Sequence, residues 1–551
     1  MQWLIRRILF TLTIVLSAGL TQAQSPKLAP DIEALLQNAL GPVDVVVQYH
    51  SAPGPLDLLR LQSLGGTLLG KFSILPAVAV RLPGVVVDLL ALDPNVAYIS
   101  PDRPVAPTLD LTTAAVGANE TYAQGFTGAG VGVAIIDSGI YPHPDLASRI
   151  VYRESFVPGV NPDDYGHGTY VAGIVAGSGA SSAGPEFTRT FRDVAPGANL
   201  IDLRVLDANG MSSDSIVLAV IDRAVALMGR YRIGVINLSL GRPIFESSQW
   251  DPICNAVAAA WKRGIVVVVA AGNLGRDGYA TITSPGNSPY AITVGAMKTE
   301  GTPETGDDRI ASYSSRGPTW IDQNVKPDVV APGNQVVSLL APGSTLSKEY
   351  PGNITASSYY MQAGASVPPA YFQLSGTSMA TPVVSGAAAI LIAAEPGISP
   401  DAVKARLMKT ATKTFPLYST AVDPTTGDSY TDTYDIFTVG AGYLDIPAAL
   451  ANRDNVIGRA LSPTVVFEPW LSLALLTNSP GAVWNDGAWS LTNVWGTQVV
   501  QPGVAGTSAA WGTSAAWGSS AAWGTSAAWG SSAAWGTSAA WGTSIGGKGE
   551  Q

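Results

Sequence analysis

The sequence predicts an α/β fold, a doubly wound and mostly parallel sheet with helices on both faces, occupying the middle of a 551-residue chain. Two observations predict it. Short apolar runs rich in β-branched residues recur between about residues 109 and 450, as strands buried on both faces require, and stretches with helical spacing separate them. A small α+β unit precedes this region and a low-complexity tryptophan-rich tail follows it.

The order of elements begins with a leader. Arg6 and Arg7 precede an apolar stretch from Ile8 to Leu20, and Thr21-Gln22-Ala23 follows, the pattern of a signal peptide over residues 1–23 with cleavage after Ala23. The alternative is a membrane anchor, but the stretch is shorter than the roughly 20 apolar residues a spanning helix needs. No later segment is long and apolar enough to span a bilayer, so the mature chain is expected to have no membrane span. Within residues 24–106, Val43–Tyr49 and Ala77–Leu82 read as strands, while Leu56–Leu64 and Val85–Leu92 read as helical. Pro101, Pro104 and Pro107 then mark an exposed linker. This α+β unit is either a removable propeptide or simply an N-terminal domain.

From residue 107 to 451 the runs Val131–Ile136, Leu200–Leu206, Val235–Leu240, Ile265–Ala271 and Ala291–Val294 supply the strands. Ser215–Met228 and Asn255–Arg263 carry helical spacing. Ser399-Pro400-Asp401 offers an N-cap, a first-turn proline and an acid at the positive end of a helix dipole ahead of Ala402–Leu407. Residues 452–504 form a linker or C-terminal extension. From 505 to 551 the chain repeats Trp-Gly-Thr/Ser-Ser-Ala-Ala, with Trp511, Trp517, Trp523, Trp529, Trp535 and Trp541 six apart. An even period puts every Trp on one face of an extended chain and scatters them around a helix. Gly, Ser and Ala content favours a flexible tail, and the regular Trp spacing favours a β-like or adhesive surface.

Composition excludes several classes. Hydrophobic residues make up 46% of the chain and charged residues 13%, enough apolar material for a large core. The net charge of -10, with no basic run, argues against a nucleic-acid partner. Cys254 is the single cysteine, which rules out an intramolecular disulfide and CxxC metal sites.

Covalent hydrolysis of an amide needs a nucleophile, a base, a group that orients the base, and donors for an oxyanion. The chain has three histidines. His50 lies in the N-terminal unit and His143 between Pro142 and Pro144, which leaves His167, flanked by glycines and followed by a small-residue helix. Asp137 ends the strand at Ile136, at the carboxyl edge of the sheet where open α/β proteins bind ligands; a plain turn cap is its alternative role. Ser378 sits at the amino end of an apolar helix, where free N–H groups stabilise negative charge. Spacing alone does not separate Ser378 from Ser375 or Thr377.

Three segments decide between them. Ile135-Ile-Asp-Ser-Gly-Ile140, Gly166-His-Gly-Thr-Tyr-Val-Ala-Gly173 and Gly376-Thr-Ser-Met-Ala-Thr-Pro382 resemble the triad motifs of the subtilisin-like serine peptidases, in that family's Asp, His, Ser order. Asn237-Leu-Ser-Leu-Gly241, Ala270-Ala-Gly-Asn273, Ile310–Pro318 and Lys326–Gly333 match as well, so the resemblance spans about residues 107–450. It implies a secreted endopeptidase acting on protein or peptide substrates, with Ser378 as nucleophile, His167 as general base and Asp137 as its orienting group. Asn273 is the implied oxyanion-hole side chain. Ser239, Leu240, Gly241, Ala270, Ala271 and Gly272 are the implied substrate-pairing segments. Leu274 and Thr283 fall at the first specificity pocket, which predicts a preference for uncharged, apolar side chains.

By the same resemblance, residues 25–106 are an inhibitory propeptide that the enzyme removes from itself. No cofactor is required. Calcium is common in the family, but no ligand set is recognisable, and Asp163-Asp164, Asp207–Asn209 and Asp307-Asp308 read as turn residues. The chain departs from the family at Tyr170, where many members carry a second histidine, and at Ser344–Phe372, an apparent insertion expected to narrow or shield the cleft. The competing functional class is a surface-binding protein that uses the fold to present its Trp repeats. An esterase is disfavoured by the lack of a GxSxG elbow ahead of an Asp-then-His order.

Overall fold

The structure, a computed structural model, describes residues 27–29, 32, 36, 41–72, 75–101, 108–146, 148–159, 161–362, 367–423, 427–468, 473–485 and 487–496. The expected signal peptide and the hexapeptide repeats lie outside the described residues. The chain divides into two compact units, Met1–Val105 and Ala106–Gln551.

The first unit is an antiparallel sheet of β1 (Pro42–Tyr49), β2 (Thr67–Lys71), β3 (Ala77–Pro83) and β4 (Val96–Pro101) in the order β2-β3-β1-β4. Two short helices, α1 (Pro55–Ser63) and α2 (Val87–Ala91), join the strands. In β1 the alternation does its usual work: Val43, Val45, Val47 and Tyr49 turn into the core. On the other face Asp44 pairs with Arg81 of β3 at 2.7 Å. Strand β2 is mostly exposed and β4 buries only Val96 and Ile99, so neither carries a strong apolar pattern.

In the second unit the strands β5 (Gly132–Asp137), β6 (Ile150–Ser155), β7 (Asn199–Arg204), β8 (Ile233–Leu238), β9 (Val266–Ala270) and β10 (Ile292–Lys298) run in the order β6-β7-β5-β8-β9-β10. All these neighbours are parallel. β11 (Arg309–Ile310) pairs antiparallel and β12 (Val329–Pro332) parallel with β10. Every residue of β5, β9 and β10 is buried, which is why the sequence shows them as unbroken apolar runs. Strand β6, which pairs only with β7, alternates between exposed and half-buried residues and gives no such run.

Five helices frame the sheet: α3 (His167–Ala176), α4 (Asp214–Tyr231), α5 (Pro252–Lys262), α6 (Thr377–Ala394) and α7 (Pro400–Thr410). α3 packs on α6, and α4 on α5. α6 is long and apolar enough to cross a membrane, with a mean hydropathy of 1.6, yet every residue from Thr377 to Leu391 is buried as the central core helix. The Ser399 hydroxyl accepts the Ala402 N–H at 3.1 Å and so caps α7 as its sequence implies. A short antiparallel pair, β13 (Val336–Leu339) and β14 (Tyr371–Leu374), leads into α6.

Of the two readings of residues 452–504, linker or C-terminal extension, the described residues up to 496 fit the extension. Trp484, Trp489 and Trp495 are buried in the main core, with Trp484 and Trp495 edge to face at 5.0 Å. Two of the three indole N–H groups are met internally, that of Trp484 by the Leu461 carbonyl and that of Trp489 by the Asn455 carbonyl, while that of Trp495 is buried without a partner among the described residues. Upstream, Asp328 lies between Lys326 at 2.6 Å and Lys404 at 3.0 Å, all three buried, and the Ser462 hydroxyl donates to the same carboxylate at 2.8 Å. A real linker buries neither indoles nor a partner of an ion cluster.

The described residues between Ser344 and Phe372, 344–362 and 367–372, also contribute to the core. Tyr360, Met361, Tyr371 and Phe372 are buried, and Tyr371 meets Phe191 edge on at 4.6 Å. The segment starts beside the catalytic-motif loop, where Thr345 N–H donates to the Asp164 carbonyl at 2.9 Å and Leu346 N–H to that of Tyr165 at 3.1 Å.

Candidate active site

Parallel strands deliver their carboxyl ends to one edge of the sheet, and Asp137 is the last residue of β5, at that edge. His167 is the first residue of α3. Both side chains are buried, and His167 Nδ1 lies 2.8 Å from Asp137 Oδ1 and 3.0 Å from Oδ2. The Ser138 N–H donates to the same Oδ1 at 2.7 Å and fixes the carboxylate. The acceptor at Nδ1 puts the imidazole proton there and leaves Nε2 basic. Nε2 is buried and has no hydrogen-bond partner among the described residues. The other histidines do not compete: His50 is exposed, and His143 Nε2 is held by the Ala370 carbonyl at 3.1 Å.

Burial pushes the His167 imidazole toward its neutral form. The charge of Asp137, its hydrogen bond and the nearby Asp163 outweigh that push and hold the pKa above 6.5.

Close approach makes this geometry. A Cβ on Gly168 would stand 2.2 Å from the Gly139 carbonyl oxygen, so only glycine lets α3 begin so near the end of β5. Asp163 ties the same two segments together. Its carboxylate accepts from the Ser138 hydroxyl at 2.8 Å, Gly166 N–H at 2.7 Å, Thr169 N–H at 2.9 Å and the Thr169 hydroxyl at 2.5 Å. The turn residue expected from the sequence thus also accepts the Thr169 N–H in the first turn of the His167 helix, whose N-cap position is Gly166. Asp164 is an ion-pair partner of Arg204 at 2.8 Å.

Ser378 is the second residue of α6, in the first turn, where N–H groups lack intrahelical partners. Its hydroxyl donates to the Ser239 carbonyl at 3.2 Å rather than to His167, and the Ser239 hydroxyl donates back to the Ser378 carbonyl at 2.9 Å. Asn273 Oδ1 accepts the Thr377 N–H at 2.9 Å and the Thr377 hydroxyl at 3.1 Å. A backbone N–H only donates, so the facing atom must be the carboxamide oxygen, and the NH2 group is turned away from Thr377.

Leu274 and Thr283 line one shallow recess, together with Pro243, Ile244, Ala280, Thr281, Ile282 and Trp320; none of these is charged. Thr283 also joins the two expected substrate segments, since Cβ atoms on Gly241 and Gly272 would both come within 3 Å of its side chain. The 270–272 segment is less available than its motif implies. Ala270 ends β9, Ala271 donates to Val294 and accepts from Thr283, and Gly272 donates to the Thr377 hydroxyl and accepts from Ser315. The Ala271 carbonyl also accepts the Thr283 hydroxyl at 3.3 Å, so of these two carbonyls only that of Gly272 keeps a second lone pair for a ligand, and the segment is chiefly a wall. Leu240 is buried beside Ser239. Among the described residues no group of three or more His, Cys, Asp or Glu is placed to hold a metal ion.

Residues 128–442 match the Subtilase family (Peptidase_S8). The chain belongs to the subtilase family. Serine protease AprX of Bacillus subtilis (strain 168) is 41% identical over 346 residues, covering 60% of this chain and 72% of that protein. An alkaline protease of Alkalihalobacillus alcalophilus is 35% identical over 350 residues, 63% and 76% of the two chains. Subtilisin E of Bacillus subtilis (strain 168) is 34% identical over 356 residues, 63% and 78% of the two. A solved structure of sphericase is 28% identical and covers 58% of this chain and 92% of its own, with a TM-score of 0.43. This subtilase is a serine protease of the subtilisin-like kind.

Proposed function

We propose that this subtilase is a secreted, self-processing endopeptidase in which Ser378, His167 and Asp137 form the catalytic triad. The observation that carries the reading is the buried Asp137–His167 pair with its unpartnered Nε2. The Ser378 hydroxyl leaves the Ser239 carbonyl by rotation about one side-chain bond and gives its proton to Nε2 as Oγ attacks the scissile carbonyl carbon. The oxyanion is met by the Ser378 N–H and the Asn273 NH2. Collapse of the adduct breaks the C–N bond, and the amine leaves with the proton from His167. Water then repeats the cycle on the acyl-enzyme and releases the acid. The uncharged recess beside Leu274 and Thr283 favours uncharged, chiefly apolar side chains before the scissile bond.

The leader pattern supports export, and the separate α+β unit with its own core supports an inhibitory propeptide. The intact acid–histidine pair favours catalysis over a purely adhesive role for the fold, while the Trp repeats are free to serve as an anchor for an active enzyme. The test is a fluorophosphonate probe together with intact mass of the secreted product. Wild type is expected to be labelled and shortened by about the first hundred residues, as the unit boundary near residue 105 implies. Ser378→Ala is expected to be unlabelled and to retain its N-terminal unit. Identical processing of both chains, with no other protease present, overturns self-cleavage.

A further inference from the structure

The helix that starts with His167 also carries Tyr170, one turn on and fully buried, and no step above uses it. Its hydroxyl donates to the Val336 carbonyl and accepts the Leu374 N–H at 3.1 Å. Val336 and Leu374 stand opposite each other in the β13–β14 pair. The phenol therefore relays a hydrogen bond from one strand to the other. Beyond that point the two chains run on together toward Ser378: Gln335 N–H donates to the Ser375 hydroxyl at 2.9 Å, and Gly376 N–H to the Gly333 carbonyl at 2.8 Å.

We infer that Tyr170 is a positioning residue, whose hydroxyl sets the spacing between the His167 helix and the turn that presents Ser378. The phenol is a rigid strut with two torsions, and its root is fixed one helical turn from the base. Its tip is fixed four residues before the nucleophile. Without the oxygen, two buried backbone groups lose their shared partner and regain a hydrogen bond only if the strands close on each other. That closure moves the Ser375–Ser378 turn relative to Nε2, and a displacement of about 1 Å at reacting atoms costs on the order of 100-fold in rate.

The inference rests on the triad reading, and the experiment separates the two. Steady-state kinetics on a peptide substrate are compared for wild type, Ser378→Ala, Tyr170→Phe and Ser338→Ala. Ser338 is the control, since its hydroxyl donates to the Tyr170 carbonyl at 2.9 Å but bridges no strands. Tyr170→Phe is expected to lower kcat at least tenfold and to slow fluorophosphonate labelling in parallel, with KM within about twofold of wild type. Ser338→Ala is expected to stay within about twofold in both constants. Tyr170→4-aminophenylalanine, whose amine donates and accepts from the same place, is expected to recover most of the lost rate. Wild-type kcat in Tyr170→Phe, no recovery by the amine, or equal losses in Tyr170→Phe and Ser338→Ala overturns the inference. So does a Tyr170→Phe chain that does not fold, because the hydroxyl then serves stability alone. An active Ser378→Ala overturns the triad reading and this one with it, whereas an inactive Ser378→Ala beside an unaffected Tyr170→Phe overturns only this one.

Discussion

Asp137 and His167 are joined by a charged hydrogen bond inside a buried network, whereas Ser378 and Asn273 are set by backbone: a helix terminus, and a carboxamide locked on the Thr377 N–H. The first half owes its state to electrostatics and so responds to charge and pH. The second half owes its state to chain geometry and responds to shape. The two are joined by the tie at Tyr170 rather than by a direct Ser378–His167 hydrogen bond.

The largest expected effect comes from removing the charge while keeping the shape. Asp137→Asn is expected to lower kcat by about 10^4, the size of the loss for the same change in a triad on another fold, with near-native circular dichroism. A drop of less than tenfold breaks the claim that the first half is electrostatic. Asn273→Ala tests the second half. It is expected to lose about 10^2 to 10^3 in kcat at nearly constant KM, a range that comes from subtilisin, itself a relative of this chain. A change confined to KM assigns Asn273 to ground-state binding instead. The smallest effect is the pH profile. His167 acts as a base only when neutral and its pKa is raised, so kcat/KM is expected to fall tenfold per unit as pH drops through a value above 6.5. Among its neighbours the charge of Asp137 does most to raise it, so the limb moves to lower pH in the residual activity of Asp137→Asn. An acid limb that stays in place breaks that link.

His167 was legible almost by counting, because two of three histidines sat in unsuitable places, and Asp137 by its position at the end of an apolar run. Ser378 needed the family motif, since the physics of a helix terminus applies equally to Thr377 beside it. The central strands were legible because burial on both faces forces apolar composition on every position. Strand β6 and the pair β13–β14 were not, the first for its alternating exposure and the second for its shortness. Asp163 read as a turn residue because an aspartate that closes a turn and one that also holds a helix start have the same local sequence. The packing of Trp484, Trp489 and Trp495 was hidden for a related reason: a shift in composition marks a boundary in the sequence whether or not the chain beyond it folds back.

That last packing bears on timing. Ribosomes add residues from the amino end, so Asp137, His167 and Ser378 all exist before the three indoles that join the main core and before Ser462, which bonds Asp328. A chain stopped near residue 450 would hold Asp137, His167 and Ser378 yet lack these members of the core. The core of the second unit is therefore closed only once the chain has passed residue 495, well after Ser378 has been made.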